Sequence, residues 1–359
     1  MRPSRRYFAH TMPGVEKIAW LEIRTRLPGV SAAEFLFTKD QNGIVVFEYP
    51  GKTEDLLRLR TTEDVFAVVA SLDNLSRDWR DLRIVADQFE RSSTLEHVAK
   101  FALGLVGNPT YRVISRTVGP HQYRRKDVEA AVVKGIQRRY GTRWRLVDDD
   151  AAVEIWANII GSRLLCGVRL SDRSMRHRDY RVIYLPAALR PSVAAALVFL
   201  TEPEPDDIFL DPMCGSGTIL AERVLAGGYR SILGGDFLLD RAQASRKNLE
   251  GPGDPVGFYQ WDAGALSIPS GGVHKVAVNL PFGKQVGSRA EIEPLYPRFA
   301  KELERVLQPG GLAVLLTSEY DLLKSALRAC KTLRHQTGYS IAVLGQWARI
   351  YVVKKSLAQ

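Results

Sequence analysis

The chain of 359 residues has few cysteines and no long apolar run. Its three cysteines, Cys166, Cys214 and Cys330, are scattered and odd in number, so they make neither a disulfide framework nor a C-x-x-C metal site. The six histidines are equally dispersed, and we expect no metal. No stretch approaches the roughly 18 apolar residues of a membrane span, and the basic first residues lack the apolar segment of a secretory signal. We therefore expect a cytoplasmic protein with no membrane partner.

The net charge of +10 is unevenly distributed along the chain. Residues 1–100 hold 15 Lys and Arg against 15 Asp and Glu, whereas residues 101–182 hold 16 against 8. The middle segment therefore carries +8 of the total. Concentrated positive charge in an otherwise balanced protein indicates a polyanionic partner; the alternative is a solvated surface that only maintains solubility.

Strand-like and helix-like runs alternate in the second half of the chain. The predicted strands lie at 206–211, 231–236, 256–263, 274–283 and 312–318, with helices at 218–228, 240–251 and 294–311. The last of these helices is expected to stop at Pro309-Gly310-Gly311. Alternation of this kind predicts an α/β fold with a Rossmann-like, doubly wound parallel sheet. Residues 339–355 contain two β-rich runs without a helix between them, which predicts a C-terminal antiparallel hairpin.

The first half mixes strands and helices in shorter units. Two β-rich runs flank a turn that contains Asn42-Gly43, a strong hairpin signal. Residues 111–141 are predicted as a strand, a basic turn and a helix, and residues 151–170 as a pair of strands. We predict two α+β units in series, at 1–60 and 61–170, then a basic linker at 171–183 and the α/β domain at 184–359.

Acids and glycines follow the predicted strands. Asp211 ends a strand, and Gly215 and Gly217 form a tight turn in which the backbone can approach a ligand. Thr218 is expected to cap the following helix. Asp236 closes the next strand, where an acid can bond ribose hydroxyls. A dinucleotide-dependent dehydrogenase is the rival interpretation, but its third glycine would fall at Leu220, so that fingerprint is incomplete.

These segments carry a family resemblance. Asp211-Pro212-Met213-Cys214-Gly215-Ser216-Gly217-Thr218, Asp236, Asp262 and Asn279-Leu280-Pro281-Phe282-Gly283 resemble, in that order, motifs I to IV of class I S-adenosylmethionine-dependent methyltransferases. The resemblance narrows to enzymes that methylate exocyclic amines of nucleobases. It implies S-adenosylmethionine as cofactor and S-adenosylhomocysteine as product. A strand-terminating turn with a core phenylalanine is the alternative for the pentapeptide taken alone.

The resemblance also implies which residues hold the cofactor. Asp211 and the glycine turn would bind the methionine moiety, Asp236 the ribose, and Asp262 with Ala263 the adenine. The cofactor-binding residues also include Pro212, Cys214, Gly215, Gly217, Thr218, Phe237 and Asn279. Residues 184–201 resemble the helix that closes over the cofactor in this group, through Pro186, Leu189 and Ser192. We interpret Cys214 as a small packing residue of the motif rather than a redox or nucleophilic group.

The pentapeptide suits an amine that is a poor nucleophile. An exocyclic base amine delocalises its lone pair into the ring, and the Asn279 side-chain oxygen and the Leu280 carbonyl can accept its two N–H bonds and turn the lone pair out of plane. Pro281 presents that carbonyl rigidly and has no N–H to compete. Phe282 can stack on the target base. Leu280 replaces the proline of the commoner motif, and Phe282 lacks a tyrosine hydroxyl, so stacking remains possible but ring hydrogen bonding does not.

The resemblance extends over the first half. Residues 110–170 resemble a THUMP domain, an RNA-binding module of tRNA-modifying enzymes, and residues 1–60 resemble the ferredoxin-like unit that precedes it. The whole chain then has the domain order of THUMP-containing tRNA guanine-N2 methyltransferases. Cations with an interleaved aromatic residue suit a phosphate track with base stacking. The candidate RNA-binding residues are Arg116, His121, Tyr123, Arg124, Arg125, Lys126, Arg138, Arg139 and Arg143, with Arg176 and Arg178 in the linker.

Our leading hypothesis from the sequence is a methyltransferase that forms N2-methylguanosine in tRNA, at position 6 or 10. Amino methylation of another base, in ribosomal RNA or at adenine N6 of DNA, is the alternative within the same chemistry. A non-catalytic RNA-binding protein that keeps a vestigial methyltransferase fold is the alternative from another class. The sequence leaves the oligomeric state open, with a monomer favoured.

Overall fold

A computed structural model describes residues 5–36, 42–186, 188–250, 256–283, 288–343 and 345–357. The chain divides into two compact units, Met1–Met175 and Arg176–Gln359. The division falls within the basic segment predicted as a linker. None of the helices in the described residues has the length and apolar character that a membrane crossing requires.

Unit 1 contains eight strands and most of the short helices. Its elements are β1 (Arg6–Thr11), α1 (Glu16–Arg26), β2 (Ser31–Leu36), β3 (Gly43–Glu48), α2 (Thr53–Leu56), β4 (Asp64–Leu72), α3 (Arg80–Arg91), α4 (Thr94–Ala102), β5 (Thr110–Val118), α5 (Arg125–Tyr140), β6 (Arg145–Leu146), β7 (Val153–Ile160) and β8 (Arg163–Arg169), and α6 (Ser174–His177) follows at its end. The predicted pair β2 and β3 is antiparallel, with Leu36 opposite Ile44. Most of the loop that joins them lies outside the described residues.

The eight strands of unit 1 form one sheet in the order β2-β3-β1-β4-β8-β7-β5-β6. β4 joins the two halves of this sheet, because it pairs with β1 on one side and with β8 on the other. Apolar side chains from the helices and the sheet, such as Ile23, Phe47 and Val85, form the main core. The segments 1–60 and 61–170 therefore share one sheet, and their division into two domains stays a prediction.

Unit 2 has the alternating architecture that the sequence predicts. Its elements are α7 (Pro191–Leu200), β9 (Ile208–Asp211), α8 (Thr218–Leu225), β10 (Ser231–Asp236), α9 (Leu239–Asn248), β11 (Val256–Gln260), β12 (Val273–Asn279), α10 (Arg289–Val306), β13 (Leu307–Thr317), α11 (Tyr320–Arg328), β14 (Leu333–Val343) and β15 (Gln346–Lys355). The strand order is β11-β10-β9-β12-β13-β15-β14. Strands β9 to β13 are parallel to one another, and β15 is antiparallel to β13 and β14. The predicted Rossmann-like sheet with a C-terminal antiparallel hairpin is confirmed.

The boundary between α10 and β13 differs from the prediction. Helix α10 ends at Val306, before the Pro-Gly-Gly segment, which belongs to β13. Val273 pairs with Leu307 and Lys275 with Leu312, so Gln308–Gly311 form a bulge in β13. Gly310 adopts a φ of +81°, which a glycine tolerates and other residues rarely adopt. The Pro-Gly-Gly segment therefore forms a bulge that bends strand β13, and it does not end the helix.

Helices cover both faces of the sheet in unit 2. The short helix α7 is almost entirely apolar and packs against α8, β12 and β13. On the other face of the sheet, Phe299 and Leu303 of α10 pack with Val276 and Val278 of β12. Burial of both faces explains why Val276–Val278 of β12 and Leu312–Leu316 of β13 are continuous apolar runs and not alternating ones. The polar residues at the strand ends are then the exceptions that mark a site.

Candidate active site

The polar strand ends meet at one edge of the sheet. Asp211 ends β9, Asp236 ends β10 and Asn279 ends β12. β9 pairs in parallel with both β10 and β12, so these three residues are neighbours on its carboxyl side. The chain proceeds from β9 to β10 and β11 on one side and returns to β12 and β13 on the other. This is the topological switch point at which doubly wound sheets bind ligands.

Gly215 and Gly217, in the turn after β9, are needed for different structural reasons. Gly215 and Gly217 have φ values of +53° and +79°. A Cβ on Gly217 would lie 2.3 Å from Ser245 Oγ, so helix α9 requires a glycine there. A Cβ on Gly215 would meet no atom within 4 Å. The backbone at Gly215 therefore faces open space, as expected where a ligand approaches the main chain.

The start of helix α8 corrects one prediction. Gly217 is the N-cap residue, and no side chain caps the helix. Thr218 is the first helical residue and is 5% exposed, so it does not have the predicted capping role. The turn is held instead by main-chain bonds, from Cys214 N to the Gly235 carbonyl at 2.8 Å and from Gly217 N to the Cys214 carbonyl at 2.8 Å. Cys214 is buried, and burial raises the pKa of its thiol, which fits a packing residue.

Asp236, the last residue of β10, holds the glycine turn through hydrogen bonds. Its carboxylate accepts hydrogen bonds from Gly215 N at 3.1 Å and from Leu238 N at 3.1 Å. Each carboxylate oxygen has a second lone pair, so Asp236 can still accept bonds from the two hydroxyls of a ribose. The Phe237 side chain beside it is 71% exposed. These features fit the predicted ribose site.

Asp211 is a buried acid without an ion-pair partner in the described part of the chain. It is 1% exposed, and its oxygen accepts a bond from Met213 N at 3.2 Å. Burial raises the pKa of this carboxyl well above its usual value, and the charge of Asp236 adds to the effect. A cationic ligand would stabilise the ionised form. The ammonium group of the methionine moiety of S-adenosylmethionine is such a ligand, and the predicted role of Asp211 fits.

The raised pKa of Asp211 predicts how cofactor affinity depends on pH. An ammonium ligand binds the ionised carboxyl, so affinity should rise as the pH rises through the raised pKa and should weaken as the pH falls. Calorimetric titration of the protein with S-adenosylmethionine at a series of pH values measures this dependence. Asp211→Asn should bind more weakly and lose the dependence. An equal pH dependence in Asp211→Asn would contradict the assignment.

Asp262 follows β11 and remains ionised. Its carboxylate accepts a bond from Gly264 N at 2.8 Å and pairs with the Arg298 guanidinium. Burial alone would raise the pKa of Asp262, but these two partners outweigh it and the pKa is lowered. Ala263 beside it is buried. The predicted adenine-binding role of both residues stays a prediction.

Trp261 connects the third motif to the first. Its indole N–H donates to the Pro212 carbonyl at 3.1 Å, and its ring stacks on Tyr259 with centroids 5.1 Å apart. A Cβ on Gly235 would lie 2.2 Å from Trp261 Nε1, so a glycine in β10 makes room for this ring. The sequence analysis missed this support, because nothing local in the chain links residues 49 positions apart.

The Asn279 side chain carries the most informative atom of the site. Its Oδ1 is buried and has no hydrogen-bond partner among the residues that the structure describes. A buried amide oxygen without a partner is costly, by about 1–3 kcal/mol. The next residue, Leu280, is fixed by a bond from its N–H to the Leu316 carbonyl at 3.0 Å. Asn279 Oδ1 is therefore an acceptor with unused hydrogen-bonding capacity at the end of β12.

Tyr296 of α10 fixes the loop after Asn279, and sequence reasoning missed it. Its hydroxyl lies 3.0 Å from the Pro281 carbonyl and 2.6 Å from Thr317 Oγ1. The ring is fully buried, and burial raises the pKa of the hydroxyl. Phe282 is partly buried, and Gly283 has a φ of +70°. Residues 284–287 lie outside the described residues.

We expect Tyr296→Phe to lower the rate of the reaction without weakening cofactor binding. The change removes the bond to Pro281 and leaves that carbonyl free to shift, at a cost of about 1–3 kcal/mol in stability. Because small misplacement of positioning groups is expensive, kcat should fall about 10-fold. Steady-state kinetics and the S-adenosylmethionine Kd measure the two effects. An equal loss in Kd and kcat would show a general structural effect and contradict a positioning role.

The three predicted residues before motif I lie around the start of α7. Pro186 is exposed, whereas Leu189 and Ser192 are 4% and 1% exposed. Ala187, between them, lies outside the described residues. α7 packs on the strand that carries Asn279. Their role in closing over the cofactor stays a prediction.

The predicted RNA-binding residues of unit 1 fall into two groups. Arg124, Arg125 and Lys126 are exposed at the start of α5, and Arg143 is exposed beyond its end. Arg138 is also exposed and lies 3.2 Å from a Glu90 oxygen. Three others make contacts within the fold. Arg139 donates to the carbonyls of Glu90 and Arg91, and the ring nitrogens of His121 lie near the carbonyls of Gly119 and Gly161. Arg116 lies 5.5 Å from the Trp156 ring centre.

Tyr123 and Arg178 do not fit the roles that the sequence suggested. Tyr123 is 3% exposed, and its hydroxyl donates to Asp81 at 3.0 Å, so its ring is not available to stack on a base. Arg178 lies in unit 2 with its side chain 9% exposed, and it pairs with Glu222 at 3.2 Å. Its guanidinium stabilises unit 2 and is not presented to RNA. Arg176 is partly buried beside it, and its role stays a prediction.

The fold and the strand-end residues define a class I methyltransferase, whose cofactor is S-adenosylmethionine. In agreement, residues 178–343 match the family described as UPF0020, RMKL-like methyltransferase domain. The described residues contain no group of three or more His, Cys, Asp or Glu side chains that could hold a metal ion.

Comparison with named relatives identifies the methyltransferase family to which the chain belongs. The chain is 30% identical over 253 residues to the tRNA (guanine(6)-N2)-methyltransferase of Thermus thermophilus, covering 70% of this chain and 74% of the relative. It is 31% identical over 229 residues to tRNA (guanine(6)-N(2))-methyltransferase THUMP3 of Bos taurus, covering 60% of this chain and 45% of the relative. The crystal structure of TrmN from Thermus thermophilus superimposes with a TM-score of 0.76 at 26% identity, over 98% of this chain and 99% of TrmN. The chain belongs to the family of tRNA (guanine-N2)-methyltransferases, and it spans a little under half the length of the mammalian relative.

Proposed function

We propose that the protein transfers a methyl group from S-adenosylmethionine to the exocyclic N2 amine of a guanosine in tRNA. One observation carries the proposal: Asn279 Oδ1 is a buried acceptor without a partner in the described chain, at the switch point beside Asp211 and Asp236. The acids suit a cofactor with an ammonium group and a ribose. The free acceptor suits the amine that receives the methyl group.

The protein's own residues prepare the amine. Asn279 Oδ1 accepts one N–H bond, and the lone pair of the nitrogen then turns out of the ring plane. When bound, S-adenosylmethionine supplies a methyl group on a positively charged sulfur. Transfer to the amine nitrogen would form the N–C bond as the C–S bond breaks with its electron pair going to sulfur, and the amine would lose one proton to water. Proximity and orientation supply most of the rate enhancement.

Phe282 and the loop around it receive the base. Stacking on an aromatic ring is worth about 1–3 kcal/mol per base. That gain is comparable with the few kcal/mol needed to unstack a nucleotide, so the ring offsets much of the cost of extruding a paired guanosine. The bond from Tyr296 to Pro281 holds this loop in place.

Unit 1 supplies the affinity for RNA in this proposal. Arg124, Arg125 and Lys126 form an exposed cationic turn, and residues 101–182 carry +8 of the net charge of +10. The proposed division is a ferredoxin-like domain at 1–60, a THUMP domain at 61–170, a linker at 171–183 and the methyltransferase domain at 184–359. Position 6 of tRNA is the first position to test, since the relatives are named for it.

Methyl transfer to defined transcripts tests the proposal. The protein is incubated with labelled S-adenosylmethionine and tRNA transcripts that carry guanosine or adenosine at positions 6 and 10, and the nucleosides are analysed by mass spectrometry. We expect N2-methylguanosine only when position 6 is guanosine. Label in N6-methyladenosine, or binding of tRNA without any transfer, would overturn the proposal in favour of adenine methylation or of a non-catalytic RNA-binding protein.

A further inference from the structure

A cleft with a strongly cationic lining lies in unit 2, apart from the strand-end site. It has a volume of about 520 Å³ and lies between α11 and the hairpin of β14 and β15. Its polar lining consists of Lys324, Arg328, Arg334, His335 and Arg349, and no Asp or Glu of the described residues lines it. We call these five residues the cationic cleft. Unit 2 from residue 183 onward has only two more Lys and Arg than Asp and Glu, so this concentration is local.

Ion pairing within the fold does not explain this cluster. Elsewhere in unit 2 cations pair with acids, as Arg289 does with Glu293 at 3.0 Å and Arg305 with Glu302 at 2.6 Å. None of the four Lys and Arg side chains of the cationic cleft has a carboxylate of the described residues within 4.0 Å. Like charges repel when they are grouped, so the cluster creates a region of positive potential that attracts an anion.

The floor of the cleft holds its central cation in place. The Arg349 side chain lies across Gly338, where a Cβ would be 3.0 Å from its Nε. Its guanidinium carbon lies 5.5 Å from the Tyr351 ring centre. Arg349 Nε is buried and has no hydrogen-bond partner in the described chain. Packing against Gly338 and Tyr351 therefore positions the guanidinium.

A bulge in the edge strand β14 shapes the rim of the cleft. His335 pairs with Val353 and Thr337 with Val352, so Gln336 is an extra residue between them. Bulges twist an edge strand and change the direction of its side chains. The His335 ring meets the Tyr351 ring at 62° with centroids 5.4 Å apart, which places it over the apolar floor.

We propose that the cationic cleft binds the phosphate backbone of the substrate RNA and gives the catalytic unit an RNA contact of its own. Guanidinium groups bind phosphate oxygens with two parallel hydrogen bonds, and the four Lys and Arg side chains are more than a single small anion requires. By strand register Asn279 is level with Tyr339 of β14, three strand spacings of about 4.8 Å away, and Arg334 lies five residues further along β14, about 17 Å at about 3.4 Å per residue. One RNA molecule can span both distances. The identity of the anion as RNA rests on the proposed function.

The test replaces exposed cations of the cleft and measures RNA binding directly. The variant is Lys324→Gln, Arg328→Gln, Arg334→Gln in the full chain; Arg349 is kept because it packs on the floor. The Kd for a tRNA transcript with guanosine at position 6 is measured by fluorescence anisotropy at several salt concentrations. We expect Kd to rise 10- to 100-fold and the log–log salt slope to fall in magnitude by about 2, since each phosphate contact contributes about 0.7–0.9.

A matched control keeps the change in net charge the same. Arg230→Gln, Arg246→Gln, Lys247→Gln removes three exposed cations near β10 and α9, towards the other edge of the sheet. Its Kd should change less than 3-fold. Neutralising Arg124, Arg125 and Lys126 of unit 1 gives a comparison variant that should also weaken binding. At saturating RNA the cleft variant should keep its kcat, with KM raised and the affinity for S-adenosylmethionine unchanged.

The outcomes separate this proposal from the proposed function. If the cleft variant and the control bind RNA equally well, the proposal is overturned, and the cations only protect the β14 edge from pairing. If the wild type binds tRNA but transfers no methyl group to guanosine, the proposed function is wrong. The effect of the cleft variant on the Kd for tRNA still tests the cleft proposal in that case. The single variant Arg334→Gln, with an expected slope change of about 0.7–0.9, gives the answer if the triple variant does not fold.

Discussion

Asn279→Ala should lower kcat for methyl transfer by at least about 100-fold while the Kd for S-adenosylmethionine changes little. The substitution removes the buried acceptor Oδ1 and with it the bond that turns the lone pair of the amine towards the methyl group. Loss of one preorganised hydrogen-bonding group at a reacting centre costs about 100- to 1,000-fold in other enzymes. Single-turnover kinetics and calorimetric titration of the cofactor measure the two quantities.

Asn279→Asp is the matched control for this substitution. It keeps the side-chain size and an acceptor oxygen but replaces the amide N–H₂ with a second acceptor. We expect it to retain more activity than Asn279→Ala, since the amine needs an acceptor at this position. Unchanged turnover in Asn279→Ala would rule out the orienting role and with it the proposed reaction. The folded state should tolerate Asn279→Ala well, because the removed oxygen has no partner among the described residues.

Asp236→Ala should raise the Kd for S-adenosylmethionine by at least about 100-fold. The carboxylate accepts bonds from Gly215 N and Leu238 N. In the proposed function its remaining lone pairs accept two bonds from the ribose hydroxyls. Hydrogen bonds to a charged group contribute about 1.5–3 kcal/mol each, and each 1.4 kcal/mol is a factor of 10 in affinity. The loss of two such bonds therefore gives the expected factor. Equilibrium dialysis with labelled cofactor measures it.

The neighbouring acid Asp240 provides the control. It is exposed in the first turn of α9 and accepts a bond from Arg241 N at 2.9 Å. Asp240→Ala removes the same charge from the same helix end, yet its cofactor affinity should stay within about 2-fold, because surface charges contribute little. Thermal unfolding of both variants separates a loss of fold from a loss of binding. If Asp236→Ala binds the cofactor like the wild type, the ribose site is elsewhere.

The sequence was a good guide wherever function depends on local order. A strand, a Gly-x-Gly turn and a helix follow one another within 20 residues, so the position of Asp211 at a strand end could be predicted from the chain alone. The same holds for Asp236 and Asn279, because each ends an apolar run in a parallel sheet whose carboxyl ends must meet. The continuity of these runs is itself a result of burial on both faces.

Long-range partners account for what was missed or wrong. Tyr296 is an ordinary core residue of an amphipathic helix in the sequence, and only the fold shows its bond to Pro281. Tyr123 lies among cationic residues in the sequence, but its hydroxyl donates a hydrogen bond to Asp81, 42 residues earlier, and the side chain is buried. Thr218 follows Gly217, whose left-handed backbone takes the cap position instead. The cations of the cleft are spread from Lys324 to Arg349, too thinly for a charge count to detect.

The shared sheet of unit 1 also determines where the chain can be cut. A fragment that starts at residue 61 would lose β1, and β4, whose first seven residues are buried, would present an unpaired apolar edge to water. Such edges recruit other strands, so this fragment should aggregate even though it contains every residue assigned to the RNA-binding module. A fragment that ends at Met175 keeps all eight strands together. Anyone who wishes to test the proposed RNA-binding half should therefore purify both of its predicted domains as one piece.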